Sequence, residues 1–253
     1  MNDALHWNKI GSNYDKEIFN VFKNDRKKKL KKYVAKYANK ENIAIDFGCG
    51  VGKALPMLSP LFKGIIAVDV SQKLIDIAKS SSPHKNVIYK QADLAGKKID
   101  VPKVDFAFCC NVAMSDNVSR NYRIINNVLS SLKKNGVAIF VLPSLESASL
   151  SVLSLMNWHS KEGTELVDIP KEDLALISVQ NKKHIKEGIL NIDGVMTKHY
   201  MVSELYALFN SGNFAMQKLD RLEYGWETEF DSPPGWMQSP YPWDWMVEVK
   251  RVS

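Results

Sequence analysis

The sequence is poor in cysteine and lacks long apolar runs. Its three cysteines, Cys49, Cys109 and Cys110, lie in apolar segments and cannot form a disulfide framework. Roughly 20 consecutive apolar residues are needed to cross a bilayer, and no run approaches that length. The amino terminus also lacks the apolar stretch of a secretory signal. We therefore expect reduced thiols and a cytoplasmic protein with no membrane partner.

Positive charge is concentrated in one part of the chain. Of 253 residues, 45% are hydrophobic and 25% are charged, which is typical of one globular domain. The net charge of +6 arises mainly from a lysine-rich run over residues 23–40. Within this run, four apolar residues recur with the spacing of one helix face: Leu30, Tyr33, Val34 and Tyr37. The pattern predicts an amphipathic helix with solvated lysines, which we favour over a phosphate-binding stripe.

From residue 43 onward, short apolar runs alternate with segments of helical spacing. This pattern is typical of a parallel sheet covered by helices on both faces. Strands are predicted over residues 43–47, 64–69, 86–91, 105–110 and 136–142. Helices are predicted over residues 53–61, 72–80 and 120–132, the second behind an N-cap at Ser71.

The last third of the chain has a different pattern. Strands are predicted over residues 197–202, 214–224 and 245–252, and a helix over 205–210 behind Ser203. A segment rich in proline and tryptophan, residues 227–244, joins the last two strands. Residues 1–40 and 143–202 lie outside the alternation of strands and helices.

The strongest local signal is a strand that runs into glycines at alternate positions, Gly48, Gly50 and Gly52. Glycine permits a sharp turn and a close approach of ligand to backbone, and the next helix directs unpaired amides at the site. A dinucleotide fingerprint would need glycine at position 53, where this chain has Lys53. A P-loop would need a hydroxyl residue at position 54, which is Ala54. Nicotinamide, flavin and triphosphate-hydrolysing enzymes are therefore disfavoured.

Carboxylates follow the next two predicted strands. Asp69 ends the strand beside the glycine loop, where an acidic side chain is able to accept both hydroxyls of a ribose. Asp93 follows the third strand and is placed to accept a hydrogen bond from the exocyclic amine of a purine. Because parallel strands end at one edge of the sheet, these groups predict a single ligand site there.

The order and spacing of these motifs resemble those of class I S-adenosylmethionine-dependent methyltransferases. The segments that carry the resemblance are Asp46-x-Gly48-x-Gly50-x-Gly52, residues 68–71, Ala92-Asp93-Leu94, the strand that leads to Asn111, and residues 132–137. The match covers about residues 40–145. It implies a Rossmann-like, doubly wound α/β fold with a seven-stranded sheet, mostly parallel, whose last strand is antiparallel. It also implies S-adenosylmethionine as cofactor and S-adenosylhomocysteine as product.

The resemblance assigns roles to individual residues. The glycine loop would hold the methionine part of the cofactor, Asp69 the ribose, and Asp93 with Leu94 the adenine, with Leu74 against the ring. Residues 6–15 are similar to a W-x-x-x-A-x-x-Y-D element that closes over the cofactor, with Tyr14 near its carboxylate. The predicted cofactor-binding set is Tyr14, Asp46, Gly48, Cys49, Gly50, Gly52, Asp69, Val70, Leu74, Ala92, Asp93, Leu94 and Asn111. We expect one methyltransferase domain over 1–253, with 1–40 as a helical lid and 143–202 as an insertion over the acceptor side.

The acceptor of the methyl group has no motif of its own, because displacement at a sulfonium needs mainly proximity and alignment. The [DNS]-P-P-[YF] motif of base-amine methyltransferases and the Pro-Cys nucleophile of cytosine methyltransferases are both missing. No metal site is expected. His159, beside Trp158 in the insertion, is the weak candidate for a catalytic base, and the aromatic residues of 233–245 are a candidate acceptor wall.

Our leading hypothesis is methyl transfer to a small or medium organic acceptor, with an O, N or S nucleophile. One alternative is an RNA or protein methyltransferase that uses the basic amino-terminal helix. Another is a catalytically inactive partner protein that binds the cofactor. The acceptor atom and the oligomeric state are left open by the sequence.

Overall fold

A computed structural model describes residues 19–81, 83–171, 173, 182–192 and 194–253. Its strands are β1 Asn39–Phe47, β2 Phe62–Asp69, β3 Val87–Gln91, β4 Val104–Cys110, β5 Leu132–Pro143, β6 Ile189–Ile192, β7 Val195–Lys198, β8 Phe214–Glu223 and β9 Trp243–Arg251. Its helices are α1 Val21–Asn24, α2 Lys29–Ala35, α3 Leu55–Leu58, α4 Gln72–Ser81, α5 Val118–Ser130, α6 Leu145–Lys161, α7 Lys182–Glu187 and α8 Val202–Phe209. Short 3-10 turns cover Leu166–Asp168 and Trp226–Thr228.

Within the described residues, seven strands form one sheet in the order β3-β2-β1-β4-β5-β9-β8. The first five of these are parallel, and β9 is antiparallel to both β5 and β8. The remaining two strands, β6 and β7, form a separate antiparallel pair. The predicted seven-stranded α/β sheet with an antiparallel last strand is confirmed.

Alternate side chains of the central strands pack against helices on opposite faces of the sheet. On one face, Ile45 packs in a cluster with the apolar residues of α5 and α8. On the other face, Ala44 packs in a cluster with apolar residues of α1 to α4. Both faces are therefore buried, which explains why the central strands are continuous apolar runs instead of alternating ones.

Several predicted boundaries differ from the structure. The first helix after β1 is shorter than predicted, since α3 covers only Leu55–Leu58. The strand predicted over 197–202 ends at Lys198, and α8 begins at Val202, so Ser203 lies inside the helix and is not its N-cap. Ser71, by contrast, accepts a hydrogen bond from the Leu74 amide at 3.2 Å, which confirms its predicted capping role.

Part of the lysine-rich run forms α2, which buries Leu30, Tyr33 and Val34 as predicted, whereas Tyr37 lies beyond the end of the helix. Two of its lysines bind acidic residues of the carboxyl-terminal strands. Lys29 lies 2.7 Å from Asp220 of β8, and Lys36 lies 3.1 Å from Glu248 of β9. Charge pairing thus attaches this helix to the edge of the sheet. Among the described residues, no helix is long and apolar enough to cross a membrane.

Candidate functional site

An open cleft, about 580 Å³ including the solvent-filled space at its mouth, lies at the edge of the sheet where the parallel strands end. It lies where β1 has β2 on one side and β4 on the other, the switch point at which α/β sheets bind ligands. Its lining residues are Gly48, Gly50, Asp69, Val70, Leu74, Leu94, Cys110, Asn111, Val112, Arg120 and Ile124. Seven of them belong to the predicted cofactor-binding set.

The loop after β1 requires glycine for two reasons. Gly48, Gly50 and Gly52 have φ angles of +73°, +51° and +86°, in the left-handed region that other residues rarely adopt. A Cβ on Gly48 would also lie 2.2 Å from Cγ2 of Val112, which follows β4. The loop is therefore packed closely against the neighbouring strand end, and it brings backbone atoms of Gly48 and Gly50 to the cleft surface.

Asp69 joins the glycine loop to the end of β2. Its Oδ2 accepts a hydrogen bond from the Gly50 amide at 2.8 Å, and its Oδ1 accepts one from the Ser71 amide at 2.8 Å. Burial raises the pKa of this carboxyl, while the backbone amides oppose the shift. Because each carboxylate oxygen can accept a second hydrogen bond, Asp69 retains acceptor capacity toward the cleft that it lines.

Asp46 lies buried at the end of β1, under the glycine loop. Its Oδ2 is buried and has no hydrogen-bond partner within the described chain. Desolvation and the nearby Asp69 raise the pKa of Asp46 to about 7. The adjacent Cys49 is buried, and burial raises the pKa of its thiol, so it is a packing residue and not a nucleophile.

Asn111 stands at the end of β4 with a φ of +53°, an uncommon conformation for a residue other than glycine. Its Nδ2 donates a hydrogen bond to Oδ2 of Asp244 at 3.1 Å. Its Oδ1 is buried and lacks a partner within the described residues. Unpaired acceptor atoms therefore lie in the cleft lining, at Asn111, and behind it, at Asp46, and both suit a ligand that carries hydrogen-bond donors or positive charge.

Arg120 is a cleft residue that the sequence motifs did not indicate. Its guanidinium binds Asp93, with Nη2 2.7 Å from Oδ1 and Nη1 3.3 Å from Oδ2. This ion pair lowers the pKa of Asp93, whose Oδ1 also accepts from the Ala95 amide. Arg120 lines the cleft, whereas Asp93, assigned to adenine by the resemblance, lies outside its lining.

The remaining walls of the cleft are apolar. They consist of Val70, Leu74, Leu94, Val112 and Ile124. These side chains come from the ends of β2 and β4, from α4 and α5, and from the loop after β3. A flat aromatic ligand group between such walls is removed from water on both faces, which favours binding through the hydrophobic effect.

The other predicted site residues fall in three positions. Asp46, Cys49, Gly52, Ala92 and Asp93 lie near the cleft but outside its lining. Tyr14 lies outside the described residues. His159 is near the end of α6, and its Nε2 lies 3.0 Å from Oδ2 of Asp173, so the structure does not bring it to the cleft.

Asp244 lies on the far side of Asn111 and was not selected from the sequence. It is the second residue of β9 and pairs in register with Pro143, the last residue of β5. Tyr224 donates a hydrogen bond to its Oδ2 at 2.7 Å. Burial raises the pKa of Asp244 to about 6. In the sequence, Asp244 is a single carboxylate among the aromatic residues of 241–245. We had interpreted those aromatic residues as a candidate acceptor wall.

Among the described residues, no cluster of three or more histidine, cysteine, aspartate or glutamate side chains could hold a metal ion. Cys110 lines the cleft at the end of β4, and burial raises the pKa of its thiol well above the ordinary value. The polar groups in the cleft lining are the Asp69 carboxylate, the Asn111 amide, the Arg120 guanidinium and the backbone of Gly48 and Gly50.

Comparison with known proteins agrees with this geometry. Residues 45–140 match the sequence model of a family described as a methyltransferase domain. The comparison with curated proteins gives no match. This segment is therefore similar in sequence to a methyltransferase domain, as the class I resemblance predicted.

Solved structures with the same fold are methyltransferases of low sequence identity. An S-adenosylmethionine-dependent methyltransferase from Methanosarcina mazei is 17% identical, with a TM-score of 0.61 over 87% of this chain and 97% of that one. Another from Anabaena variabilis is 16% identical, with a TM-score of 0.61 over 99% and 93%. The N-methyltransferase NodS from Bradyrhizobium japonicum, solved with S-adenosyl-L-homocysteine, is 10% identical, with a TM-score of 0.60 over 100% of both chains. The whole chain thus has the fold of S-adenosylmethionine-dependent methyltransferases.

Proposed function

We propose that the protein transfers a methyl group from S-adenosylmethionine to a small or medium organic acceptor. The observation that carries the proposal is the bond between Asp69 and the Gly50 amide, which fixes a carboxylate beside a left-handed glycine loop at the switch point of the sheet. The methyltransferase domain match over residues 45–140 supports the same activity.

The cleft residues fit this donor part by part. The unpaired Oδ1 of Asn111 and Oδ2 of Asp46 are acceptors suited to the positively charged methionine end. Asp69 is placed to accept the ribose hydroxyls, and Leu74, Leu94 and Ile124 offer apolar walls for the adenine. When bound, S-adenosylmethionine supplies an activated methyl group on a sulfonium.

The chain's own contribution to the reaction is alignment. Because the methyl group passes in a direct displacement, holding donor and acceptor in line can lower the barrier by about 7–11 kcal/mol without a dedicated nucleophile. The glycine loop and Asp69 fix the donor relative to the ends of β4 and β5. A base is needed only where the acceptor must lose a proton.

We further propose that the whole chain forms one methyltransferase domain, with 1–40 as a lid and 143–202 over the acceptor side. Two contacts support this assignment. Phe19 packs edge-on against Tyr224, with ring centroids 4.8 Å apart, next to Asp244. In the insertion, Ser147 of α6 accepts a hydrogen bond from the Trp243 amide at the start of β9.

The basic helix gives little support to a nucleic-acid acceptor. Lys29 and Lys36 of α2 are engaged with Asp220 and Glu248, and no residue of this helix lines the cleft. Lysines that release counterions from phosphates would make binding to a polyanion fall steeply with salt. We expect activity toward the true acceptor to depend much less on salt than polyanion binding would.

Calorimetry on the intact chain tests the function directly. We expect saturable binding of S-adenosylmethionine and S-adenosylhomocysteine, thermal stabilisation that rises with their concentration, and no response to NAD. A screen of small acceptors, read out by release of S-adenosylhomocysteine, then tests turnover. Stabilisation by NAD but not by S-adenosylmethionine would reject the proposal, and donor binding without turnover on any acceptor would favour the inactive partner.

A further inference from the structure

Two carboxylates lie on the acceptor side of the sheet, beyond the groups assigned to the donor. Asp244, the second residue of β9, lies at the same sheet edge as Asn111, to which it is hydrogen-bonded. Glu229 follows the 3-10 turn Trp226–Thr228 in the connection between β8 and β9. Both are tied to neighbouring turns of α6: Ser151 donates to Glu229 at 2.8 Å, and Ser147, four residues earlier, accepts from the amide of Trp243, the residue before Asp244. We call them the acidic pair.

Among the described residues, one carboxylate oxygen of Asp244 accepts hydrogen bonds and the other accepts none. Both of its hydrogen bonds, from the Tyr224 hydroxyl at 2.7 Å and from Nδ2 of Asn111 at 3.1 Å, go to Oδ2. Within the described chain, Oδ1 accepts no hydrogen bond, and the residue retains accessible surface. Tyr224 and Asn111 therefore fix the carboxyl group and leave Oδ1 for a ligand.

Glu229 is held in a similar way from the insertion. The hydroxyl of Ser151, a buried residue of α6, donates to its Oε2 at 2.8 Å. Glu229 is an exposed residue, yet the groups packed around its carboxyl desolvate it enough to raise its pKa. Beside it, the rings of Trp226 and Phe230 stack with centroids 5.7 Å apart. Carboxylates and aromatic faces are the two surroundings that favour a cation.

Among the described residues, no cation forms a hydrogen bond with the acidic pair. The groups that hydrogen-bond to Asp244 and Glu229 there are all neutral: Tyr224, Asn111, Ser151 and Thr228. A desolvated carboxylate such as Asp244 that lacks a counter-charge is costly to a fold unless a ligand supplies it. The paired carboxylates elsewhere on this molecule, such as Asp220 with Lys29, do have such partners.

We propose that the methyl acceptor is an amine, which binds as an ammonium ion beside the acidic pair and loses its proton to Oδ1 of Asp244. This inference rests on the proposed function and names the acceptor class for the same site. An alcohol would bring no positive charge to Asp244 and Glu229, and would leave both carboxylates uncompensated.

The proposed step balances in atoms and charge. The ammonium ion has no lone pair, so it first transfers one N–H proton to the Asp244 carboxylate. The freed nitrogen lone pair then forms the new N–C bond while the electrons of the S–C bond leave with sulfur. The products are a methylated ammonium ion and a neutral thioether, and Asp244 returns its proton to solvent.

Matched pairs of amines and alcohols test the inference on the intact chain saturated with S-adenosylhomocysteine. Benzylamine against benzyl alcohol and phenethylamine against phenethyl alcohol differ only in the ammonium group, and calorimetry measures their affinities. We expect each amine to bind at least about tenfold more tightly than its alcohol, as one desolvated charge pair permits. We expect Asp244→Asn to abolish this preference and Glu229→Gln to reduce it.

Two kinds of control separate charge from packing. Glu227→Gln changes an exposed carboxylate in the same turn and should leave the amine preference unchanged. Tyr224→Phe removes a hydrogen bond to Asp244 but keeps the carboxylate, so the preference should survive there too. In turnover of the better amine, Asp244→Asn should lower kcat/KM by about 10²–10⁴-fold with unchanged affinity for S-adenosylhomocysteine.

The possible results are distinguishable. Equal affinity for amine and alcohol, or no measurable binding of either member of a pair, overturns the amine assignment. Methylation of the alcohols that Asp244→Asn leaves intact overturns it as well. A wild-type chain that fails to bind S-adenosylhomocysteine would instead reject the proposed function itself.

Discussion

The two halves of the cleft are built in different ways. The proposed donor half, over β2, β1 and β4, takes Gly48 and Gly50 from one short segment and Asp69 from the next strand. The proposed acceptor half, over β4, β5 and β9, takes Asn111, Glu229 and Asp244 from segments that are far apart in the chain. A compact motif therefore specifies the donor side, and long-range packing specifies the acceptor side.

The difference has a physical origin. A sharp turn against a neighbouring strand leaves the glycine loop few alternatives, because its residues need positive φ angles and have no room for a side chain. An acceptor side has no such backbone requirement. A carboxylate from any segment of the chain can contact the acceptor if that segment lies at the end of β5.

The largest effect should follow from substitution in the glycine loop. We predict that Gly48→Ala destabilises the fold by about 3 kcal/mol, since its Cβ would lie 2.2 Å from Val112 at a φ of +73°. Donor binding should be lost with it. Urea unfolding monitored by circular dichroism measures the free energy.

Gly212 provides the matched control, because it has a φ of +58° and nothing within 4 Å of the added Cβ. Gly212→Ala should cost about 1 kcal/mol, the backbone part alone. A second change, Val112→Ala, should restore part of the stability of Gly48→Ala. Equal losses at Gly48 and Gly212, with no rescue, would show that contact with β4 does not constrain the loop.

Asp46 should impose a pH dependence on stability. Its pKa rises from an ordinary value near 3.9 when unfolded to about 7 when folded, so folding favours the protonated form. The contribution to stability is then fully present below about pH 4 and is lost as the pH rises through 7. We predict that Asp46→Asn is more stable than the wild type at pH 8, by at most about 4 kcal/mol.

The pH dependence of that difference isolates the titration, because other effects of the amide do not vary with pH. The difference should shrink steadily between pH 8 and pH 4 in chemical unfolding experiments. A constant difference across this range would mean that Asp46 is ionised in both states. Donor affinity should fall in the same variant, because a neutral amide no longer attracts the charged methionine end.

Asp93 should matter much less than Asp69. It is tied to Arg120 and lies outside the cleft lining, so we predict that Asp93→Ala weakens binding of S-adenosylhomocysteine by no more than about fivefold, since a half-exposed ion pair contributes little. Titration calorimetry measures this change. A loss as large as that expected for Asp69 would restore the adenine contact that the resemblance assigns to Asp93.

Much of the fold and of the donor half could be predicted from the sequence. Buried strands, the glycine spacing and Asp69 leave local patterns, and the antiparallel last strand followed from the resemblance. Arg120 could not be predicted, because its position depends on how α5 packs beside the loop after β3. Asp244 was not selected because aromatic residues surround it in the sequence. Its proposed role depends on hydrogen bonds from Tyr224 and Asn111, which are close to it only in the folded chain.

Calorimetric binding of S-adenosylhomocysteine to Asp69→Ala, beside Asp76→Ala as the control, tests the donor site most directly. Asp76 is an exposed carboxylate of α4, so its removal changes the same charge away from the cleft. We predict about a 100-fold loss of affinity for Asp69→Ala, equivalent to about 2.8 kcal/mol, and no loss for Asp76→Ala. Unchanged affinity in Asp69→Ala would contradict the proposed hydrogen bonds between Asp69 and the ribose hydroxyls.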